Sequence, residues 1–265
     1  MIPFLASRYE AKASQPERAV AVFDRFGFCI VRSLLAEAVA RRIAHRFDDN
    51  LAGLGALFPN YQADALLSPF SLAIPFSEGD ATLADRLAAT APGLLAQLAL
   101  SVLSVEELTR FESEVGWMTA LPLFAPFHAR VAKGRLVWSD RYSYCRWEKW
   151  RPNTTEVTAW WKHQDAAYDL FPDGGLTVWV ALCDCGNDAP GLELLPRRFA
   201  GKIAHKDDPA ATFIADDQFP RRAWLRPRFR PGDAVLIDPW TIHGTHALPT
   251  MPRHRGSLEL RLVPA

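Results

Sequence analysis

The order of apolar and polar residues changes character near residue 130. In the first half the spacing is helical: Pro16 opens a segment with its apolar residues on one face, and 35–47 has the spacing of an amphipathic helix. Between these segments, the apolar run 28–31 predicts a short buried strand. A capping-box sequence predicts a further helix over 104–115. We therefore expect residues 1–130 to be largely helical.

From residue 134 onward, short apolar runs alternate with glycine, proline and aspartate. Seven of these runs predict strands: 136–138, 142–147, 157–161, 176–182, 192–195, 234–237 and 257–263. Several short strands separated by turn signals are typical of a sandwich or a barrel. The chain has no internal repeat, low-complexity segment or Gly/Ser linker. We expect a single domain over 1–265, in which the region 1–130 packs on a β core formed by 131–265.

Composition describes an ordinary globular chain and argues against two classes of function. The 265 residues carry 30 Lys and Arg against 30 Asp and Glu, so no net charge attracts nucleic acid. No apolar run reaches the roughly 18–20 residues that span a bilayer, and the N-terminus lacks a secretory pattern. We expect a cytoplasmic protein that acts on a small molecule, with no nucleic-acid or membrane partner. The single C-x-C pair, Cys183 and Cys185, indicates ordinary thiols.

A histidine and an aspartate two residues apart form the first part of a candidate metal site. In Trp-Lys-His-Gln-Asp at 161–165, the side chains of His163 and Asp165 project to the same face if the segment is extended. Far along the chain, His243 follows a Pro-Gly-Asp turn and an apolar strand. Two histidines and one carboxylate form a facial triad that leaves coordination positions open. This donor set suits non-haem Fe(II) used in oxygen chemistry.

An oxo acid that chelates such a metal needs a counter-charge for its far carboxylate. Arg253 and Arg255 both follow the second histidine, and both offer the planar fork that binds a carboxylate through two hydrogen bonds. Alternation along the last strand places four polar residues on one face, namely Arg255, Ser257, Glu259 and Arg261. Three leucines occupy the other face. Alternation alone leaves open which of the two faces points into the barrel.

Four stretches of the chain resemble the phytanoyl-CoA dioxygenase family of Fe(II)- and 2-oxoglutarate-dependent oxygenases. They are the helix, Gly-aromatic strand and leucines at 23–35, the metal segment at 161–165, the core strands at 176–196, and the last segment at 232–255. Together they span most of the chain, and the weakest match lies between 50 and 130. The sequence departs from the family at 196–199, where Pro-Arg-Arg-Phe replaces a P-G-S-H-like stretch.

The resemblance implies a fold, a metal and a co-substrate. The fold is α+β with a mainly β core: a double-stranded β-helix (jelly-roll, cupin-like) barrel with N-terminal and flanking helices. The implied Fe(II) ligands are His163, Asp165 and His243. Arg255 then pairs with the C5 carboxylate of 2-oxoglutarate, assisted by Thr245. The spacing expected for the family falls between Arg253 and Arg255, and the strand register favours Arg255.

The implied reaction oxidises a C–H bond while 2-oxoglutarate and O2 are converted to succinate and CO2. The intact Asp165 favours hydroxylation, since halogenating relatives carry glycine or alanine at that position. A Trp-rich barrel without an acyl-CoA-specific signature favours a small metabolite or a natural-product intermediate as the substrate. The side chains that we expect near the substrate are those of Arg141, Arg146, Trp161 and Trp179.

Three other interpretations of the sequence stay open. The same fold supports desaturation, cyclisation or epimerisation, which only product analysis separates. A degenerate member of the family would bind a ligand without turnover, although an intact triad with a following arginine argues against this. A cupin-like isomerase that holds zinc or nickel would have no need of the arginine. The sequence does not predict the oligomeric state.

Overall fold

The computed structural model describes residues 7–45, 72–75, 117–131, 133–148, 162–167, 174–208, 211–215, 218–248, 250–253 and 255–265. The helices are α1 (Pro16–Phe26), α2 (37–45) and α3 (Ala125–His128). The strands are β1 (Glu10–Lys12), β2 (Phe28–Arg32), β3 (Leu72–Pro75), β4 (Leu136–Glu148), β5 (Leu176–Ala181), β6 (Gly191–Leu194), β7 (Lys206–Asp208), β8 (Ala211–Phe213), β9 (Ala234–Ile237), β10 (His243–His246) and β11 (Arg255–Pro264). None of the helices in these ranges is long and apolar enough to cross a membrane.

Seven of the strands form one large sheet, in the order β1-β2-β9-β5-β11-β4-β3. Neighbouring strands are antiparallel except β1 and β2, which run parallel. A smaller sheet pairs β10 with β6, and isolated bridges extend it to residues 163 and 225. Leu192 and Leu194 of β6 pack against Trp179 and Ile237 of the large sheet, so an apolar layer fills part of the space between the two sheets.

The strand β11 shows which face of the large sheet points inward. Leu258, Leu260 and Leu262 are buried in a cluster with side chains of α1 and α2, so the apolar face of β11 packs under the helices. The polar face therefore points toward the small sheet, and Arg255 and Arg261 on that face are both buried. The question that alternation left open is decided by the helical layer, because only an apolar face can pack against it.

The end of α1 is tied to the segment that leads into β10. Gly27 stops the helix with a φ of +80°, and its amide donates to the carbonyl of Phe23. The Gly27 carbonyl accepts hydrogen bonds from the Thr241 hydroxyl (2.6 Å) and from the Asp238 amide (2.8 Å). A Cβ at Gly27 would lie 2.3 Å from the Thr241 hydroxyl oxygen, so only glycine permits this approach. This contact fixes Thr241, which lies two residues before His243.

Most of the elements expected from the sequence are present within the described ranges. The helix that opens at Pro16 and the strand 28–31 are confirmed, and the helix expected over 35–47 is seen over 37–45. Four predicted strands match β5, β6, β9 and β11. The predicted helix 104–115 and strand 157–161 lie outside the described residues.

Two expectations about the elements were wrong. The separate strands 136–138 and 142–147 are one continuous strand, β4, whose two ends both pair with β11. The polar residues between the two predicted strands form a bulge in β4, since Tyr144 pairs with Glu259 and Ser139 already pairs with Arg261. The region before residue 130 also supplies three strands of the large sheet, of which only β2 was expected.

Candidate metal centre

Three buried side chains bring their ligand atoms together inside the fold. The Asp165 Oδ1 atom lies 3.4 Å from Nε2 of His163 and 3.7 Å from Nε2 of His243. All three residues are at least nine-tenths buried, and their ligand atoms lie within 4.8 Å of one another. Among the described residues, this is the one group of three or more His, Cys, Asp or Glu side chains with such spacing. The structure thus brings together the three residues selected from the sequence.

The two histidines are held together by their backbones. The amide of His163 donates to the carbonyl of His243 at 2.9 Å, and the amide of His243 donates back to the carbonyl of His163 at 3.0 Å. Such a reciprocal pair fixes two residues opposite each other on antiparallel strands. The ring centroids are 4.5 Å apart as a result. Asp165 begins a short 3₁₀ turn, Asp165–Ala167, so the extended segment assumed from the sequence ends before the carboxylate.

A hydrogen bond fixes the orientation of the His243 ring. Its Nδ1 lies 3.1 Å from the carbonyl oxygen of Thr241, and because a carbonyl only accepts, Nδ1 must donate. The proton is thereby fixed on Nδ1, and the lone pair of Nε2 faces Asp165. Burial lowers the pKa of His243 to about 4, despite the attraction of the Asp165 charge. The imidazole is consequently neutral near pH 7, as a metal ligand must be.

Gln164 anchors the metal segment from the side opposite the metal ligands. It is fully buried, its amide nitrogen donates to the carbonyls of Trp240 (2.6 Å) and Gly201 (3.1 Å), and its amide oxygen accepts from the Ile203 amide (2.9 Å). These three bonds link the segment to two neighbouring loops. The residue between the two ligands therefore serves to fix their position.

Both oxygens of Asp165 have protein partners. The Thr177 hydroxyl on β5 donates to Oδ2 at 2.5 Å, and the Arg261 guanidinium on β11 lies 3.5 Å from Oδ1. Burial raises the pKa of Asp165, but the charge of Arg261 and the two imidazoles outweigh it and hold the pKa well below its ordinary value. The carboxylate is ionised and aimed, with Oδ1 toward the histidines.

A small cavity adjoins the two histidines of the triad. Its lining combines both histidines with polar and apolar groups of the two sheets: Thr177, Trp179, Leu192, Ile237, Gly244, Thr245, Arg255, Glu259 and Arg261. Trp179 contributes an indole N–H that is buried and has no hydrogen-bond partner among the described residues. The cavity thus presents polar groups that a ligand can satisfy.

The two candidate arginines occupy different places. Arg255 is 1% exposed, lines the cavity, donates to the carbonyl of Gly191 at 2.9 Å and lies over the Trp179 ring at 5.5 Å. Arg253 is half exposed and bonds to Asp188 at 3.0 Å in a separate surface cleft. Only Arg255 faces the metal ligands.

The other predicted site residues are placed as follows. Thr245 and Trp179 line the cavity, whereas Trp161 lies outside the described residues. Arg141 and Arg146 belong to β4, where the backbone of Arg146 pairs with Ser257, and their side chains are not among the described atoms.

Sequence reasoning missed Thr177, and it named Glu259 and Arg261 only as members of a strand face. The signal for Thr177 was a lone hydroxyl in the otherwise apolar strand β5. For the two charged residues the signal was their place on the same face as Arg255. Neither signal could be used before the inward face of β11 was known.

The donor set fits a divalent transition metal. Two imidazoles and one carboxylate would leave open coordination positions, which is the donor set of non-haem Fe(II) oxygenases. The Nδ1 bond of His243 and the Thr177 bond to Asp165 supply the outer contacts that such ligands ordinarily have. The residues present therefore suit Fe(II).

Comparison with solved structures finds the same fold at low sequence identity. EvdO2 from Micromonospora carbonacea var. aurantiaca, solved with 2-oxoglutarate, aligns with a TM-score of 0.56 and 18% identity over 94% of this chain and 90% of its own. The epimerase SnoN, solved with Fe3+, alpha-ketoglutarate and nogalamycin RO, aligns with a TM-score of 0.53 and 16% identity over 95% of this chain and 84% of its own. The non-heme monooxygenase ThoJ aligns with a TM-score of 0.56 and 17% identity over 91% of this chain and 75% of its own. The expected α+β class with a double-stranded β-helix core is confirmed.

Sequence comparison gives the family. The curated proteins contain no sequence match to this chain. The family model for phytanoyl-CoA dioxygenase (PhyH) matches residues 23–254, which includes all three candidate metal ligands. That match covers far more than half of the chain and agrees with the resemblance found in the four sequence segments. The chain belongs to the phytanoyl-CoA dioxygenase family.

Proposed function

We propose that this protein is an Fe(II)- and 2-oxoglutarate-dependent oxygenase that hydroxylates a C–H bond of a small organic molecule. The observation that carries the proposal is the buried triad of His163, Asp165 and His243, whose two histidines line one cavity together with Arg255. Membership of the family supports the same chemistry. Bound iron would supply the activation of O2, with the oxo acid as the second source of electrons.

The protein's own residues would hold the metal and keep it accessible. His163, Asp165 and His243 provide three ligand atoms from one side. Because Thr177 holds the second oxygen of Asp165, the carboxylate offers a single oxygen to the metal and leaves the remaining positions to the oxo acid and O2. The apolar layer between the two sheets excludes water from this side of the site.

The polar wall of the cavity would hold the oxo acid. Arg255 is buried, lines the cavity and donates to the carbonyl of Gly191, and its guanidinium fork suits the far carboxylate of 2-oxoglutarate. The Thr245 hydroxyl and the indole N–H of Trp179 line the same cavity and would donate to the same ligand. Arg253, which is bonded to Asp188 at the surface, has no part in this proposal.

The overall reaction balances without a protein base. One O2 and one 2-oxoglutarate are consumed with the substrate, and hydroxylated product, succinate and CO2 are released. Two electrons come from the oxidised C–H bond and two from the decarboxylated oxo acid. Epimerisation is a second candidate outcome, because SnoN, an epimerase, shares the fold at a TM-score of 0.53. A reaction under 18O2 distinguishes the two outcomes, because hydroxylation places one 18O atom in the product and epimerisation places none.

The first test is formation of the iron–oxo-acid complex. Metal-free protein receives Fe(II) without oxygen and is then titrated with 2-oxoglutarate, while the weak visible charge-transfer band of a chelated complex is followed. We expect the band in the wild type and not in His163→Ala. His45→Ala, which removes an exposed histidine on α2, serves as the matched control and should behave as wild type.

The proposal fails if the wild type forms no band at any accessible concentration of Fe(II) and 2-oxoglutarate. It also fails if His163→Ala forms the band with wild-type affinity, because the metal would then be bound elsewhere. Succinate formation that depends on a small-molecule substrate would complete the assignment.

A further inference from the structure

A second buried arginine lies at the metal end of the cavity. Arg261 is 8% exposed, and its guanidinium is 3.5 Å from the ligand oxygen of Asp165 and 3.6 Å from Glu259. On β11 it stands six residues after Arg255, on the same inward face, and its backbone is paired with Thr177 of β5. The cavity is therefore lined by an arginine from each end of the strand face, and the metal ligands lie beside Arg261.

We propose that Arg261 binds the carboxylate through which the oxo acid chelates the metal, while Arg255 binds the far carboxylate. This inference rests on the proposed function and extends it to the other end of the co-substrate. A cation at each end of one cavity is the pattern that matches a dicarboxylate.

The positive charge of Arg261 does not favour metal binding by itself. A guanidinium close to the Asp165 oxygen competes with the metal for that oxygen and repels a divalent cation. Burying an arginine is also costly unless it is paired, and Glu259 and Asp165 share that task before any ligand arrives. An arriving carboxylate at the metal provides the additional negative charge that makes this cation favourable.

The opposite assignment would make Arg261 a structural partner of Asp165. The two assignments predict opposite effects on metal binding. If Arg261 mainly holds Asp165 in place, its removal weakens metal binding. If it mainly serves the oxo acid, its removal leaves metal affinity equal or higher and weakens binding of the oxo acid.

The experiment measures both affinities in the full-length, Fe(II)-loaded protein without oxygen. Two probes are used: 2-oxoglutarate, which has both carboxylates, and pyruvate, which has only the carboxylate next to the keto group. We expect Arg261→Met to raise the apparent Kd of both probes on the order of tenfold to a hundredfold, the range for a lost hydrogen bond to a charged group. Arg255→Met should raise the apparent Kd for 2-oxoglutarate and leave that for pyruvate unchanged.

Two further variants guard against a trivial loss of structure. Arg261→Lys keeps the charge without the fork and should recover part of the lost affinity for both probes. Arg228→Met removes an exposed arginine far from the triad in sequence and should match wild type. Circular dichroism and Tm establish that each variant is folded before titration.

The outcomes separate the two proposals. If Arg261→Met binds both probes as tightly as the wild type does, this inference is overturned and the proposed function stays intact. The same holds if Arg261→Met loses affinity for Fe(II). If Arg261→Met binds 2-oxoglutarate more weakly but binds pyruvate normally, the inference is also overturned, because Arg261 would then act at the far carboxylate. Absence of any complex in the wild type overturns the proposed function itself.

Discussion

Replacement of Thr177 by valine tests how the aspartate ligand is held. The change keeps the shape of the side chain and removes one hydroxyl, which donates to Asp165 Oδ2 at 2.5 Å. Thr177 is 2% exposed and Asp165 is 4% exposed, so water cannot readily replace the lost donor. A distance of 2.5 Å is typical of a strong hydrogen bond to an ionised oxygen.

The expected magnitude follows from the neighbours of the carboxylate. Without the Thr177 hydroxyl, Asp165 satisfies both oxygens by turning toward Arg261, which lies 3.5 Å from Oδ1. Metal binding must then break that pairing. A lost hydrogen bond to a charged group costs about 1.5–3 kcal/mol, and outer contacts of metal ligands typically change metal affinity about 10–100-fold. We expect Fe(II) affinity to fall by at least about tenfold.

The assay is a metal titration of metal-free Thr177→Val protein without oxygen, with Co(II) as a spectroscopic substitute for Fe(II). Thr177→Ser keeps the hydroxyl and is the matched control, which should stay close to wild type. Urea denaturation measured in parallel reports how much global stability the variant loses. Unchanged or tighter metal binding in folded Thr177→Val would refute the reasoning that this hydroxyl aims the ligand.

Three further predictions concern the scaffold around the site. Gly27→Ala should destabilise the protein by more than about 1 kcal/mol in urea denaturation, because its φ is +80° and the new Cβ meets Thr241. Leu258→Ala, fully buried under the helices, should cost about 2–5 kcal/mol of unfolding free energy while metal affinity of the folded protein is retained. Asp24→Asn should cost less than about 1 kcal/mol at pH 7, since the ion pair of Asp24 with Arg130 is half exposed.

The Asp24 prediction has a defined pH dependence. The side-chain hydrogen bond from Arg130 has the largest effect and lowers the pKa of Asp24; burial opposes it, and the hydrogen bond from Arg198 lowers the pKa further. A lowered pKa contributes stability above the unfolded value of about 3.9 and loses it as the pH falls through the folded value. The difference between wild type and Asp24→Asn should therefore shrink as the pH falls below about 3.9, and it should vanish once the pH is below the lowered pKa of the folded state. A difference that stays constant down to pH 2 contradicts this account.

The other two scaffold predictions have equally direct refutations. An unchanged urea midpoint for Gly27→Ala would mean that the approach of the helix end to Thr241 is not as close as described. Loss of metal binding by folded Leu258→Ala would mean that the outer face of β11 is coupled to the inner one.

The three candidate metal ligands could be selected from the sequence because the residues lie in two short motifs, and the structure brings them together. His163 and Asp165 are two residues apart, and the second histidine follows a turn and a strand with clear signals. What the sequence could not provide was the reciprocal backbone bond between His163 and His243, since pairing across eighty residues depends on how the strands assemble. The turn at Asp165 was likewise hidden, because its geometry is set by the Ala166 amide bonding to Pro239.

The departure at 196–199 also finds a physical explanation only in the structure. Arg198 bonds to Asp24 at 3.0 Å and to Asp238 at 3.3 Å, so it connects this loop to α1 and to the segment before β10. Burial raises the pKa of Asp238, and the Trp240 amide that bonds to it acts in the opposite direction. In the sequence alone, Pro-Arg-Arg-Phe looked like a change near the mouth of the site. In the fold, it is part of the support for the segment that carries His243.

The inward polar face of β11 links the stability of the fold to its proposed chemistry. Buried polar groups cost about 1–3 kcal/mol each when they lack a partner. The Trp179 indole N–H and the Ser257 hydroxyl are buried and have no hydrogen-bond partner among the described residues. A core built for stability alone would place leucines inside, as β11 does on its outer face. Such local violations of packing rules are expected where a ligand completes the structure. Addition of Fe(II) and 2-oxoglutarate together should therefore raise Tm more than either ligand alone.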